Sequence, residues 1–129
     1  MSWLDGFTRN WANLRDDDPD PALRPLVVTR APRDAVSWAA SAIARAPRWR
    51  VVAHDDDAGT LHATHATRVW RFVDDVRLTF EPHGSGSRVV GQSRSRIGTG
   101  DLGQNARNLR GLTALLRAAE GHGDNGEFV

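Results

Sequence analysis

Apolar residues recur along this chain with two periods, and the switches between them mark out its elements. Near the start, Trp3, Leu4, Phe7, Trp11 and Leu14 follow at spacings of one, three, four and three, one side of an amphipathic helix over residues 2–15. An aromatic-rich helix of this kind suits docking on the domain or lying on a membrane surface. Residues 16–24 are acidic and proline-rich; their leading aspartates oppose a helix dipole, so a linker follows Arg15. Residues 26–30 read as a short strand. Pro32 opens a helix with the buried stripe Val36, Ala39, Ala40 and Ile43, and Pro47 ends it. The period then falls to two. Residues 49–54 and 60–66 form a hairpin around an aspartate-rich turn. The longest strand, 68–80, sets Trp70, Phe72, Val76, Leu78 and Phe80 against Arg71, Asp75 and Arg77, and 87–97 is its return strand. Helical spacing resumes at Asp101, with Gln104 as a capping-box partner and Asn105, Leu109, Leu112 and Leu116 on one face. Gly121 predicts the stop, leaving 121–129 as a frayed tail.

This order, strand–helix–four strands–helix, is met by a single α+β domain over residues 25–120. It predicts an antiparallel sheet of about five strands with two main helices on one face, plus the N-terminal helix. The arrangement resembles a reduced helix-grip domain, in which a curved sheet wraps a long C-terminal helix.

Asp74 breaks the pattern. It falls on the apolar face of the long strand, between Phe72 and Val76. A lone buried carboxylate costs several kcal/mol unless it is paired. A bulge turning it outward, an open pocket floor, or a buried partner would each resolve the conflict. Pairing Phe80 with Val89 sets Leu78 opposite Gly91, Val76 opposite Ser93 and Asp74 opposite Ser95. On the other face Asp75 then meets Arg94 and Arg77 meets Gln92, and apolar residues match apolar ones. Ser95 and the Gly98–Gly103 bend leading into the last helix are the expected partners of Asp74.

The remaining motifs exclude more than they offer. Gly98-Thr99-Gly100-Asp101-Leu102-Gly103 spells a dinucleotide-binding fingerprint, but no parallel strand follows to complete the unit. His62 and His65 fall on opposite faces of one strand, and His54 and His62 alone make no metal set, so no metal or cofactor is expected. Cysteine and tyrosine are absent, which excludes disulfides, zinc ribbons and thiol or phenol chemistry. All 17 basic residues are arginine, and with 16 acids the net charge is +1. Arginine and aspartate interleave without a basic stripe, which argues against a nucleic-acid partner. The arginine richness looks like coding in a GC-rich bacterial genome. No leader or membrane span is legible, so a cytoplasmic protein is expected.

The strand Phe72-Val73-Asp74-Asp75-Val76, followed by Ser93-Arg94-Ser95-Arg96, Gly98, Asp101, Gly103, Asn105 and Arg107, resembles the domain-of-unknown-function family fourteen-ninety-nine of bacteria and plants. The resemblance covers about residues 24–118. It implies a fold and a set of constrained residues, not a reaction.

Together these features predict a non-catalytic module that binds a small ligand or a protein. Its expected pocket lies between sheet and last helix, lined by Trp70, Phe72, Val76 and Leu109, with Asp74 and the Arg94/Arg96 strand near its rim and Ser95, Asp101 and Asn105 as further binding candidates. Two alternatives stand beside it. One is an enzyme using Asp74 or Asp75 as general base, with Arg94 and Arg96 holding an anionic substrate. The other is a peripheral membrane protein held by Trp3, Leu4, Phe7, Trp11 and Leu14.

Overall fold

The computed structural model describes residues 11–66, 73–95 and 102–126. The period-two segments pair as one antiparallel sheet. Strand β6 (Gly86–Ser95) pairs with β5 (Val73–His83), β5 with β4 (Thr60–Ala66), and β4 with β3 (Trp49–Asp55). The other side of β6 takes two short strands end to end, β1 (Trp11–Asn13) and β2 (Leu26–Val28). Among the described residues the sheet has six strands, in keeping with the about five expected. Helices α1 (Pro32–Ala44) and α2 (Leu102–Gly126) join Val76, Leu78, Phe80 and Val89 in a single core.

The β5–β6 register is the one that apolar matching predicts: Phe80 opposite Val89, Leu78 opposite Gly91, Val76 opposite Ser93, Asp74 opposite Ser95. A slip by one residue would send Val76, Leu78 and Phe80 into water together. The predicted stripe of α1 is buried as well, with Val36, Ala39 and Ile43 wholly enclosed. Gly59 shapes the β3–β4 turn. Its φ of +74° suits glycine, and a Cβ there would stand 2.7 Å from the Phe80 carbonyl oxygen.

Two expectations about the chain ends need correction. The helix predicted through Arg15 is not formed at its C-terminal end: Trp11–Asn13 is a strand, and the Leu14 amide continues its ladder by donating to the Gly91 carbonyl at 2.9 Å. The open edge of β6 offers these residues ladder hydrogen bonds, and tertiary pairing overrides a helical spacing of only four turns. Leu14 is thus buried in the core, not available to a membrane surface, while Trp3, Leu4 and Phe7 lie outside the described residues. At the other end α2 does not stop at Gly121 but continues to Gly126. Gly121 is exposed and meets no neighbour, so it costs the helix only about 1 kcal/mol.

The acidic segment between β1 and β2 is clamped to α2. Asp20 caps the short 3-10 turn Pro21–Leu23 and accepts from Arg110 Nε at 2.9 Å. Thr113 Oγ1 donates to the Ala22 carbonyl at 2.7 Å, and Leu23 is buried. Further along, Glu120 takes the Thr29 amide at 2.8 Å and pairs with Arg30, whose guanidinium lies 4.6 Å from the Trp38 ring centre. These ties hold both halves of α2 across the sheet.

Candidate functional site

Alternation along β5 divides the candidate residues between two faces of the sheet, and the two faces do different things. Asp74 points inward and is 2% exposed. Its pairing with Ser95 is unbroken by any bulge, so the bulge explanation fails. A buried partner resolves the conflict, and it is Asn108; residues 98–101 of the expected bend lie outside the described residues. Asn108 Nδ2 donates to Asp74 Oδ2 at 2.7 Å and lies 3.2 Å from Ser93 Oγ. Ser93 donates to Asn105 Oδ1 at 2.7 Å, and Asn105 Nδ2 donates to Ser95 Oγ at 3.0 Å. Gln104 Nε2 caps the network by donating to Asn108 Oδ1 at 2.7 Å. The ladder stitches one face of α2, at the helical spacing Asn105–Asn108, to alternate positions of β6 and to β5.

This network pins α2 to β5 and β6. Within it Ser93 Oγ, Gln104 Nε2, Asn105 Nδ2 and Asn108 Nδ2 each face an acceptor. Of the four residues expected to line an apolar pocket, Val76 and Leu109 are buried in the core. Trp70, Phe72, Arg96 and Asp101 lie outside the described residues. Arg94 falls where the predicted register puts it. It stands opposite Asp75, hence on the other face of the sheet.

One inner group stands apart. His65 lies opposite Asp74 on β4, with its ring centre 4.7 Å from that of Trp49. Its Nδ1 is buried and has no hydrogen-bond partner among the described residues. Burial holds this imidazole below its ordinary pKa; the Asp74 charge opposes the shift and Arg48 adds to it.

The outer face carries the second cluster. His62 stands opposite Arg77, Asp75 opposite Arg94, and Arg77 opposite Gln92, so five polar side chains from three adjacent strands share one patch. His62 Nε2 lies 2.7 Å from Asp75 Oδ1. An ionised carboxylate offers only lone pairs, so Nε2 is the donor in this contact. Arg77 and Arg94 are exposed, and neither has a hydrogen bond or ion pair among the described residues. Asp75, Arg77, Gln92 and Arg94 line a hollow of about 300 Å³. Among the described residues, no three His, Asp or Glu side chains converge as a metal set, and no helix is long and apolar enough to cross a membrane.

Sequence reasoning missed Asn108 and the roles of His65 and His62. Asn108 was legible in principle, since it lies three residues after Asn105 and one before Leu109 on the buried side. The roles of the two histidines depend on β4 lying beside β5, which the sequence of β4 does not state.

Comparison with known proteins agrees with this architecture. The crystal structure of Ara h 8.0201 aligns with a TM-score of 0.54 at 10% identity, covering 77% of this chain and 93% of that one. At that identity the likeness is one of fold, and the fold is of helix-grip type. The crystal structure of TTHA0849 from Thermus thermophilus aligns at 13% identity over 85% of this chain and 94% of that one, with a TM-score of 0.41. A search of the curated proteins returns no match. Residues 7–116 match the family described as "Protein of unknown function (DUF1499)". With the match spanning most of its length, the chain belongs to that family.

Proposed function

We propose that this protein is a non-catalytic binding module of the cytoplasm, and that it holds a small anion on the open face of its sheet. The observation that carries the reading is the pair Arg77 and Arg94, diagonal neighbours on β5 and β6 with no acidic partner among the described residues. Diagonal positions on adjacent strands stand about 7–8 Å apart, so two arginine arms converge on one carboxylate or phosphate. The nearby acid, Asp75, is already engaged by His62, which leaves the arginines less compensated. Gln92 adds an amide donor to the same hollow. The absence of cysteine suits a reducing compartment. The inner ladder serves this surface indirectly, by holding α2 and the β5–β6 ribbon together.

The test is an amide NMR titration with acetate, up to the ~0.1 M at which salt screening sets in. The reading expects saturable shifts in β5 and β6 that disappear in an Arg77→Gln/Arg94→Gln variant with an unchanged melting temperature. Shifts that are absent, or that survive in the variant, would overturn it.

A further inference from the structure

The hollow at Arg77 and Arg94 does not end at β5. A second hollow, of about 410 Å³, is lined by Ala53, Asp55, Thr60, His62 and Thr79 and shares Arg77 with the first. The two ends differ in chemistry. Around Gln92 and Arg94 two guanidinium groups outnumber the one carboxylate, Asp75. Toward β3 it carries a methyl group, two threonines and the carboxylate of Asp55, whose Oδ1 accepts from the backbone amides of Asp57 and Ala58 at 3.1 and 3.0 Å. Adjacent strands lie about 4.8 Å apart, so the distance from β5 to β3 is about 10 Å.

Building on the anion reading, we infer that the two hollows form one groove for a single elongated organic anion. A carboxylate or phosphate head sits between Arg77 and Arg94. An uncharged body about the size of an aromatic ring on a short stem lies across Thr79 and Thr60 to Ala53. A second negative charge at the far end is disfavoured, because it would face Asp55. A compact inorganic anion fills only the first hollow and gives up the contact area of the second.

The experiment compares pairs of probes that share a head. Acetate against phenylpropionate, and inorganic phosphate against phenyl phosphate, are titrated by amide NMR at low ionic strength. In at least one pair the probe with the ring binds about tenfold more tightly, the gain expected from covering roughly half a ring. Its shifts extend from β5 and β6 to Ala53 and Thr60. The pair with the larger gain identifies the head. Arg77→Gln weakens both members of that pair, whereas Ala53→Gln, at an exposed position, removes only the advantage of the ring. Equal affinities within both pairs, or an Ala53→Gln variant that leaves the advantage intact, would overturn the inference while the anion site stands. Failure of every probe to bind would instead overturn the proposed function itself.

Discussion

The buried ladder invites a direct energetic test at Asn108. Its amide nitrogen lies 2.7 Å from Asp74 Oδ2 and 3.2 Å from Ser93 Oγ, and the whole group is buried. A hydrogen bond to a charged group contributes about 1.5–3 kcal/mol and a neutral one about 1 kcal/mol. Asn108→Ala therefore costs about 3–4 kcal/mol, a large part of the 5–15 kcal/mol typical of a domain. Asp74→Asn is milder. Its carboxamide oxygen still accepts from Asn108, and a neutral group is easier to bury, so the cost is about 1 kcal/mol or less. In the Asp74→Asn background, Asn108→Ala no longer strands a charge and costs about 2 kcal/mol. The double-mutant cycle thus shows a coupling of about 1–2 kcal/mol. Urea unfolding followed by circular dichroism reads all four proteins. Additivity within about 0.5 kcal/mol would refute the reasoning, because a carboxylate indifferent to its amide partner is not held by it.

Two further outcomes follow from other parts of the fold. Stability declines as pH falls below 6.5, because the unfolded His65 imidazole takes up a proton that the folded one, shifted downward chiefly by burial, refuses; His65→Phe flattens this part of a pH series of urea midpoints between about 5 and 7. Gly86→Ala destabilises the β2–β6 edge, since a Cβ there would stand 2.1 Å from the Val28 carbonyl oxygen; hydrogen exchange should show Leu26–Val28 losing protection before β5 does.

The β5–β6 ribbon was legible from residue pattern alone. Period-two alternation gives each strand one buried face, and burial admits a single register, so the pairing of Asp74 with Ser95 and of Asp75 with Arg94 follows from local information. The stripe of α1 was legible for the same reason at period 3.6. Asp74 could be recognised as a residue under constraint because a carboxylate on an apolar face conflicts with its neighbours.

What resolved that conflict was decided in three dimensions. The spacing of Trp11 and Leu14 fits a helix, yet the unpaired edge of β6 recruits that stretch as a strand, and no property of residues 11–14 announces an edge contributed by residues 91–94. Asn108 answers Asp74 only because α2 crosses β5 and β6 at one particular height. His62 becomes a neighbour of Asp75 and Arg77 only through pairing between β4 and β5. Sequence periodicity determines which side of an element is wet. Which wet sides meet, and around what, depends on contacts between residues far apart in the chain.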